Sequence, residues 1–315
     1  SPLTLIFAVN GKVILKLVSQ NFLISSLFPG SWLPNWFDGK PITIKPWSLY
    51  FFQSISKSSY CLVNPHLLAT LTISIALFLY FDKSINSPLI DFIWKNNGFP
   101  NSKLPASVNQ DISNSLYDDF SNLKRIDQLN IEMEYDVNSI SYLFIPESSN
   151  DKLIIYHQGH GGDFYKGKAT IQHFLEQNYS VLAFSMPLLG MNEQPVVDLP
   201  NIGKFKLDKH THFRFLDTSD FSPIKFFMEP IAVSLNYLDE NYHFSSYHMV
   251  GLSGGGWTVT VYSAIDDRIS QTYSVAGSVP IYLRTIPLNF GDYEQWHPEL
   301  YRIANYLDLY IMNSY

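Results

Sequence analysis

Gly251-Leu252-Ser253-Gly254-Gly255-Gly256, preceded by Tyr247-His248-Met249-Val250 and followed by Trp257-Thr258-Val259-Thr260-Val261-Tyr262, is the stretch on which the fold turns. The residues before it form a short apolar run that predicts a buried strand, 247 to 252. Those after it predict a helix from about Gly255 to Ala264. A serine caught between such a strand and such a helix sits on a sharp turn, where side chains at the flanking positions would clash with neighbouring backbone. Glycines on both sides remove that clash, and the serine hydroxyl then projects above the sheet. A glycine-rich turn that binds an anion would give the same string, so the strand and helix around it matter more than the letters.

Working outward, the segment from about Ile126 reads as strands alternating with helices, the pattern of a mostly parallel sheet covered on both faces. A hairpin is expected from Ile131 to Val137 and Ile140 to Ile145. Strands follow at Leu153 to Tyr156 and Val181 to Phe184, flanking a helix at Ala169 to Gln177. Residues 187 to 228 show no clean period and hold four prolines, which suggests loops or a lid, and their Phe205, Phe213, Phe215, Phe221, Phe226 and Phe227 either form an apolar lid or, as is commoner for such residues, pack the core. A helix near Pro230 to Glu240, a strand at Thr272 to Ala276, a helix near Leu300 to Leu307 and a terminal apolar strand at Leu309 to Tyr315 complete the reading. With an abrupt apolar end and a first residue that is not methionine, the chain reads as a fragment.

A second glycine-rich loop, Tyr156-His157-Gln158-Gly159-His160-Gly161-Gly162, directly follows the strand at 153 to 156 and precedes Ser253 by roughly 95 residues. Acyl transfer needs preorganised N–H groups to hold the oxyanion of its tetrahedral intermediate, one from the residue after the nucleophile and one from the loop after the third strand. Gly254 and His160 fit these places through their backbone, and an alignment shifted by one residue would give the second place to Gly161.

Together these residues resemble the α/β-hydrolase superfamily over roughly residues 126 to 315: an HG-type loop after one strand, then a nucleophile elbow after a later one. The resemblance implies a serine esterase in which Ser253 forms an acyl-enzyme with a small-molecule ester or acyl substrate, without a cofactor. Gln158 stands where the family's H-G-x-G-G loop usually has its histidine. Family order places the triad acid and histidine after the nucleophile, at positions expected beyond Tyr315. Asp292, Glu294 and His297, on the loop Gly291 to His297, are the alternative within the chain, Asp292 or Glu294 as acid and His297 as base. Acyl transfer to an alcohol or amine on the same fold stays open, as does a non-catalytic, membrane-anchored binding module.

A metal site is not expected. His157 and His160 lie three apart and His210 and His212 two apart, but no carboxylate or cysteine spacing supports them, and zinc needs three or four convergent ligands. Cys61 is the only cysteine, which excludes an intrachain disulfide. Net charge is −7, without Lys/Arg clusters in the second part, so no nucleic-acid partner is expected.

Residues 1–81 differ from the rest: they hold five lysines and one acid, against 16 basic and 27 acidic residues downstream. They read as a hydrophobic N-terminal region. Leu67 to Phe81 is an uncharged run of 15 residues, short of the roughly 20 that span a bilayer, so residues 60–81 form a candidate membrane anchor or a buried helix. An anchor there, with the enzyme on the far side, would place catalysis outside the cytoplasm. Residues 82–125, rich in Asn, Ser and Pro, read as a linker with a short helix near Asp111 to Leu123, and 126–315 as the hydrolase domain, incomplete at its C-terminus.

Overall fold

The computed structural model describes residues 3–6, 14–17, 85–95, 97–284 and 290–313. The chain divides into two compact units, the larger of which holds residues 84–315. Of the smaller, strands β1 (Leu3–Ile6) and β2 (Ile14–Leu17) are described; they pair antiparallel with Leu3 opposite Leu17. The candidate anchor at 60–81 lies outside the described residues. Among the described residues no helix is long and apolar enough to cross a membrane.

The larger unit is built on one seven-stranded sheet. Its strands are β3 (Ser107–Asn109), β4 (Leu123–Ile131), β5 (Ser139–Pro146), β6 (Lys152–His157), β7 (Ser180–Phe184), β10 (Ser246–Leu252) and β11 (Ile269–Val275). Across the sheet they run β3-β4-β5-β7-β6-β10-β11. The first three pairings are antiparallel, and β7, β6, β10 and β11 are mutually parallel. Alternation explains why the inner strands read as continuous apolar runs. On β6, Leu153 and Ile155 face one core while Ile154 and Tyr156 face another, and β7 divides the same way between Leu182/Phe184 and Val181/Ala183.

Helices cover both faces. Helix α1 (residues 85–94), α3 (Lys225–Asn241) and α4 (Gly254–Ser263) pack into the larger core, whereas α2 (Lys168–Glu176) contributes Ile171 and Leu175 to the smaller one. Two short helices, α5 (Pro298–Ile303) and α6 (Tyr306–Met312), close the described chain.

Several sequence expectations change: the first hairpin strand, expected at Ile131 to Val137, is β4 and ends at Ile131. Residues 82–125 are not a bare linker, because α1 sends Leu89, Phe92, Ile93 and Trp94 into the larger core, and β3 together with the start of β4 extends the sheet. The helix expected near Asp111 to Leu123 is a single 3₁₀ turn, Ser115–Tyr117, whose Tyr117 is buried against Phe144. The terminal strand is instead helix α6, entered through a capping box: Asn305 accepts from the Leu307 and Asp308 N–H groups, and Asp308 accepts from the Asn305 N–H. Finally, the stretch 187 to 228 has regular structure, a hairpin of β8 (Val196–Leu199) and β9 (Gly203–Lys206) and a 3₁₀ segment at His210–Phe215. Its Phe213, Phe226 and Phe227 are fully buried and pack the core, the second of the two fates open to them.

Candidate active site and an adjoining histidine–carboxylate cluster

Strand β10 ends at Leu252 and helix α4 begins at Gly254, which leaves one residue for the reversal. That residue is Ser253, with φ 54° and ψ −120°. Such a backbone is costly for any residue with a β-carbon, on the order of 1–3 kcal/mol, and is held only where surrounding structure fixes it. Here the Ser253 N–H donates to the Val275 carbonyl at 2.8 Å and the Trp257 N–H donates to the Ser253 carbonyl at 3.2 Å. Gly251 is needed for close approach, since a β-carbon there would fall 2.2 Å from the Gly255 carbonyl oxygen. The Ser253 side chain is exposed.

The loop after β6 reaches the same point. Gly159 lies so close to the elbow that a β-carbon on it would stand 3.1 Å from the Gly254 nitrogen. A β-carbon on Gly254 would meet the His160 ring at 2.3 Å, so the imidazole of His160 rests on the first residue of α4. The N–H of Gly254 opens that helix and has no partner within it. Below the loop, His157 is buried, stacks on Phe184 and donates through Nδ1 to the Gln158 carbonyl at 2.9 Å. Burial disfavours its charged form and, with the neighbouring His160 and His210, brings its pKa down to about 4 against the hydrogen bond that supports it.

The 291–297 loop does not assemble as a pair of acid and base. His297 gives both ring nitrogens to other groups: Nε2 to the Asp217 carboxylate at 2.8 Å, and Nδ1 as acceptor for the Leu300 N–H at 3.4 Å, capping α5. Asp292 and Glu294 face His160 instead. His160 Nε2 lies 3.0 Å from Asp292 Oδ2 and 2.9 Å from Glu294 Oε1.

His210, from the 3₁₀ segment, completes the group. Its Nδ1 is 3.1 Å from His160 Nε2 and 3.2 Å from Glu294 Oε2, and its Nε2 donates to the Pro187 carbonyl at 2.9 Å. Glu294 is completely buried. Burial opposes its charge, but the adjoining His210 and His160 imidazoles prevail and hold its pKa down at about 2. His210 is buried as well, and the carboxylate beside it raises its pKa above the ordinary histidine value despite desolvation. His160, His210 and Glu294 have the donor types and spacing to hold a metal ion. No local sequence signal points to this convergence, because its members stand 50 and 134 residues from His160 along the chain.

A sheet of this order, with antiparallel strands on one side, a glycine-rich loop after β6 and the strained serine after β10, is an α/β-hydrolase-type sheet. Solved structures similar to the chain include acetyl xylan esterase 1 from Thermoanaerobacterium sp. JW/SL YS485, at 13% identity over 75% of this chain and 72% of that one, with a TM-score of 0.47. An acetyl xylan esterase from Paenibacillus sp. R4 is similar at 16% identity over 75% and 74%, with a TM-score of 0.46. An esterase from Pyrococcus furiosus is similar at 19% identity over 57% and 59%, with a TM-score of 0.36. The chain spans 59% of that Pyrococcus protein and 52% of a similar Bacteroides fragilis structure, under two thirds of either. No protein-family model and no curated protein matches the chain. Likenesses of this depth leave the chemistry to be read from the chain's own residues.

Proposed function

We propose that the larger unit is a serine hydrolase that cleaves a carboxylic ester or related acyl bond of a small molecule. The observation that carries this reading is the backbone of Ser253, φ 54° and ψ −120°, on a one-residue reversal between β10 and α4 with its side chain open to solvent. Strain of this kind has no packing purpose at an exposed serine, and it aims the hydroxyl away from the sheet. In the proposed reaction Ser253 Oγ attacks the substrate carbonyl and its proton passes to a histidine base. The N–H groups of Gly254 and of the loop at His160 or Gly161 hold the oxyanion. The alcohol leaves with the proton, and water then releases the acyl group from Ser253.

Asp292 and His297 do not serve as the acid and base of Ser253 in this reading, since one faces His160 and the other is engaged by Asp217 and Leu300. The base and its acid are proposed to follow Tyr315. A fluorophosphonate probe tests the reading in the complete protein: it should label one serine, and Ser253→Ala should abolish labelling while the far-UV circular dichroism is unchanged. Labelling that survives Ser253→Ala, or a folded wild-type protein that takes no label, would refute it.

A further inference from the structure

We propose that His160, His210, Glu294 and Asp292 bind one divalent transition-metal ion of the zinc class, which ties the loop after β6 to the 291–297 segment beside the elbow. The inference stands apart from the reading of Ser253, since it rests on a different set of atoms.

Proton bookkeeping makes the cluster unusual. His160 Nε2 faces three groups at once, Glu294 Oε1 at 2.9 Å, Asp292 Oδ2 at 3.0 Å and His210 Nδ1 at 3.1 Å, and a ring nitrogen carries at most one proton. His210 spends its Nε2 hydrogen on the Pro187 carbonyl, an acceptor only, which turns Nδ1 inward. Orientation of an inward imidazole nitrogen by a backbone carbonyl on the other nitrogen is how metal-bound histidines are commonly held. Glu294 is fully buried, and its Oε2, although 3.2 Å from His210 Nδ1, has no aligned donor among the described residues. One cation at the centre would accept all these lone pairs together.

Spacing and charge agree. Zinc bound at about 2.0–2.2 Å by four N and O ligands sets them about 3.3–3.5 Å apart in a tetrahedron. The separations here, 2.9 to 3.2 Å, need an expansion of a few tenths of an ångström; a small shift of the part-exposed His160 opens the three that involve it, and the His210–Glu294 separation of 3.2 Å needs least. Two carboxylates against two imidazoles call for a divalent charge. Imidazole and carboxylate donors without sulfur suit zinc and its first-row neighbours rather than calcium or magnesium, which prefer oxygen alone. The four ligands come from three segments, the loop after β6, the 3₁₀ segment at 210–215 and the loop before α5. Binding would therefore fix the loop whose Gly159 and His160 touch the elbow.

The test reads metal rather than activity. The 315-residue chain, stripped with chelator and desalted after incubation with Zn²⁺, should retain one equivalent, and Co²⁺ should give the intense visible absorption of a tetrahedral site, displaced by Zn²⁺. Asp292→Asn and His160→Gln, at partly exposed positions, should weaken binding at least tenfold. Glu294→Gln should abolish it, and His212→Gln should leave it unchanged. Circular dichroism separates lost ligands from lost fold, and the Asp292 and His160 variants decide the matter if Glu294→Gln does not fold. Metal retained below stoichiometry, or binding unchanged in both Asp292→Asn and His160→Gln, would overturn the proposal and leave a buried histidine–carboxylate ion-pair network.

Discussion

Gly159 leaves no room for a β-carbon beside Ser253. An added β-carbon would stand 2.7 Å from the serine's own and 2.4 Å from the Leu252 carbonyl oxygen, both far inside van der Waals contact. Because the second neighbour is backbone at the strained turn, the loop and the elbow would have to separate. Gly159→Ala is expected to destabilise the unit by about 1–3 kcal/mol, the usual range for overpacking a closed site. It should also slow fluorophosphonate labelling of Ser253 at least tenfold, because the loop that carries the proposed second oxyanion donor moves with it. Urea midpoints and labelling rates measured on the same preparation check both effects.

Asp217 and His297 form a hydrogen-bonded pair at the start of α5. Asp217 accepts from the Tyr293 hydroxyl at 2.9 Å and from His297 Nε2 at 2.8 Å, and these bonds hold its carboxyl below the usual range against the burial that would raise it. Asp217→Ala removes two hydrogen bonds to a charged acceptor and leaves a buried tyrosine hydroxyl and imidazole unpaired. A loss of about 2–3 kcal/mol is expected, since bonds of this type contribute about 1.5–3 kcal/mol each before discounting for partial exposure. Under conditions where the variant stays folded, Ser253 labelling should persist. A catalytic role for His297 would instead show as labelling lost along with Asp217 while stability is kept.

What the sequence reveals and what it hides follow from how local each signal is. The elbow and the loop at 156–162 are legible because strand, glycine turn and helix follow one another closely along the chain. Helix α1 hides behind Pro88 and the polar residues around it, although Leu89, Phe92 and Ile93 have helical spacing. Helix α6 has a readable start in Asn305 and Asp308, but the apolar run after it has the composition of a strand and masks it. The cluster at His160 is different in kind. Nothing near His210 or Glu294 announces it, because only the folded chain brings the three segments together.

His157 should make the unit sensitive to mild acid. It is buried with a pKa of about 4, against an ordinary value of 6.5, so between these pH values the unfolded chain binds a proton that the folded chain refuses. Its contribution is therefore fully present above about pH 6.5 and is lost as pH falls towards 4. A shift of this size corresponds to about 3 kcal/mol across the window. Comparing wild type with His157→Asn by urea denaturation at pH 7 and pH 5 isolates the term from other titrating groups. Stability should fall more steeply in the wild type, and equal pH slopes in the two proteins would contradict the assignment.

Trp94 fastens α1 to the rest of the unit through a buried carboxylate. Its indole N–H donates to Glu229 Oε2 at 2.8 Å, while Lys103 reaches Glu229 Oε1 at 2.6 Å and Lys225 reaches Oε2 at 3.2 Å. The charge on α3 is thus held by two cations and an indole, and removing one donor leaves a buried oxygen short of a partner. Trp94→Phe should cost about 1–3 kcal/mol by that route, and Leu89→Ala or Ile93→Ala about 2–5 kcal/mol each through cavity formation in the core. All three effects appear as shifts of a single cooperative urea transition if α1 belongs to the hydrolase-type unit. Were residues 82–125 a linker, a chain beginning at residue 96 would match the stability of the longer one. We expect instead that it loses the cooperative transition, because it exposes the core surface that Leu89, Phe92 and Ile93 cover.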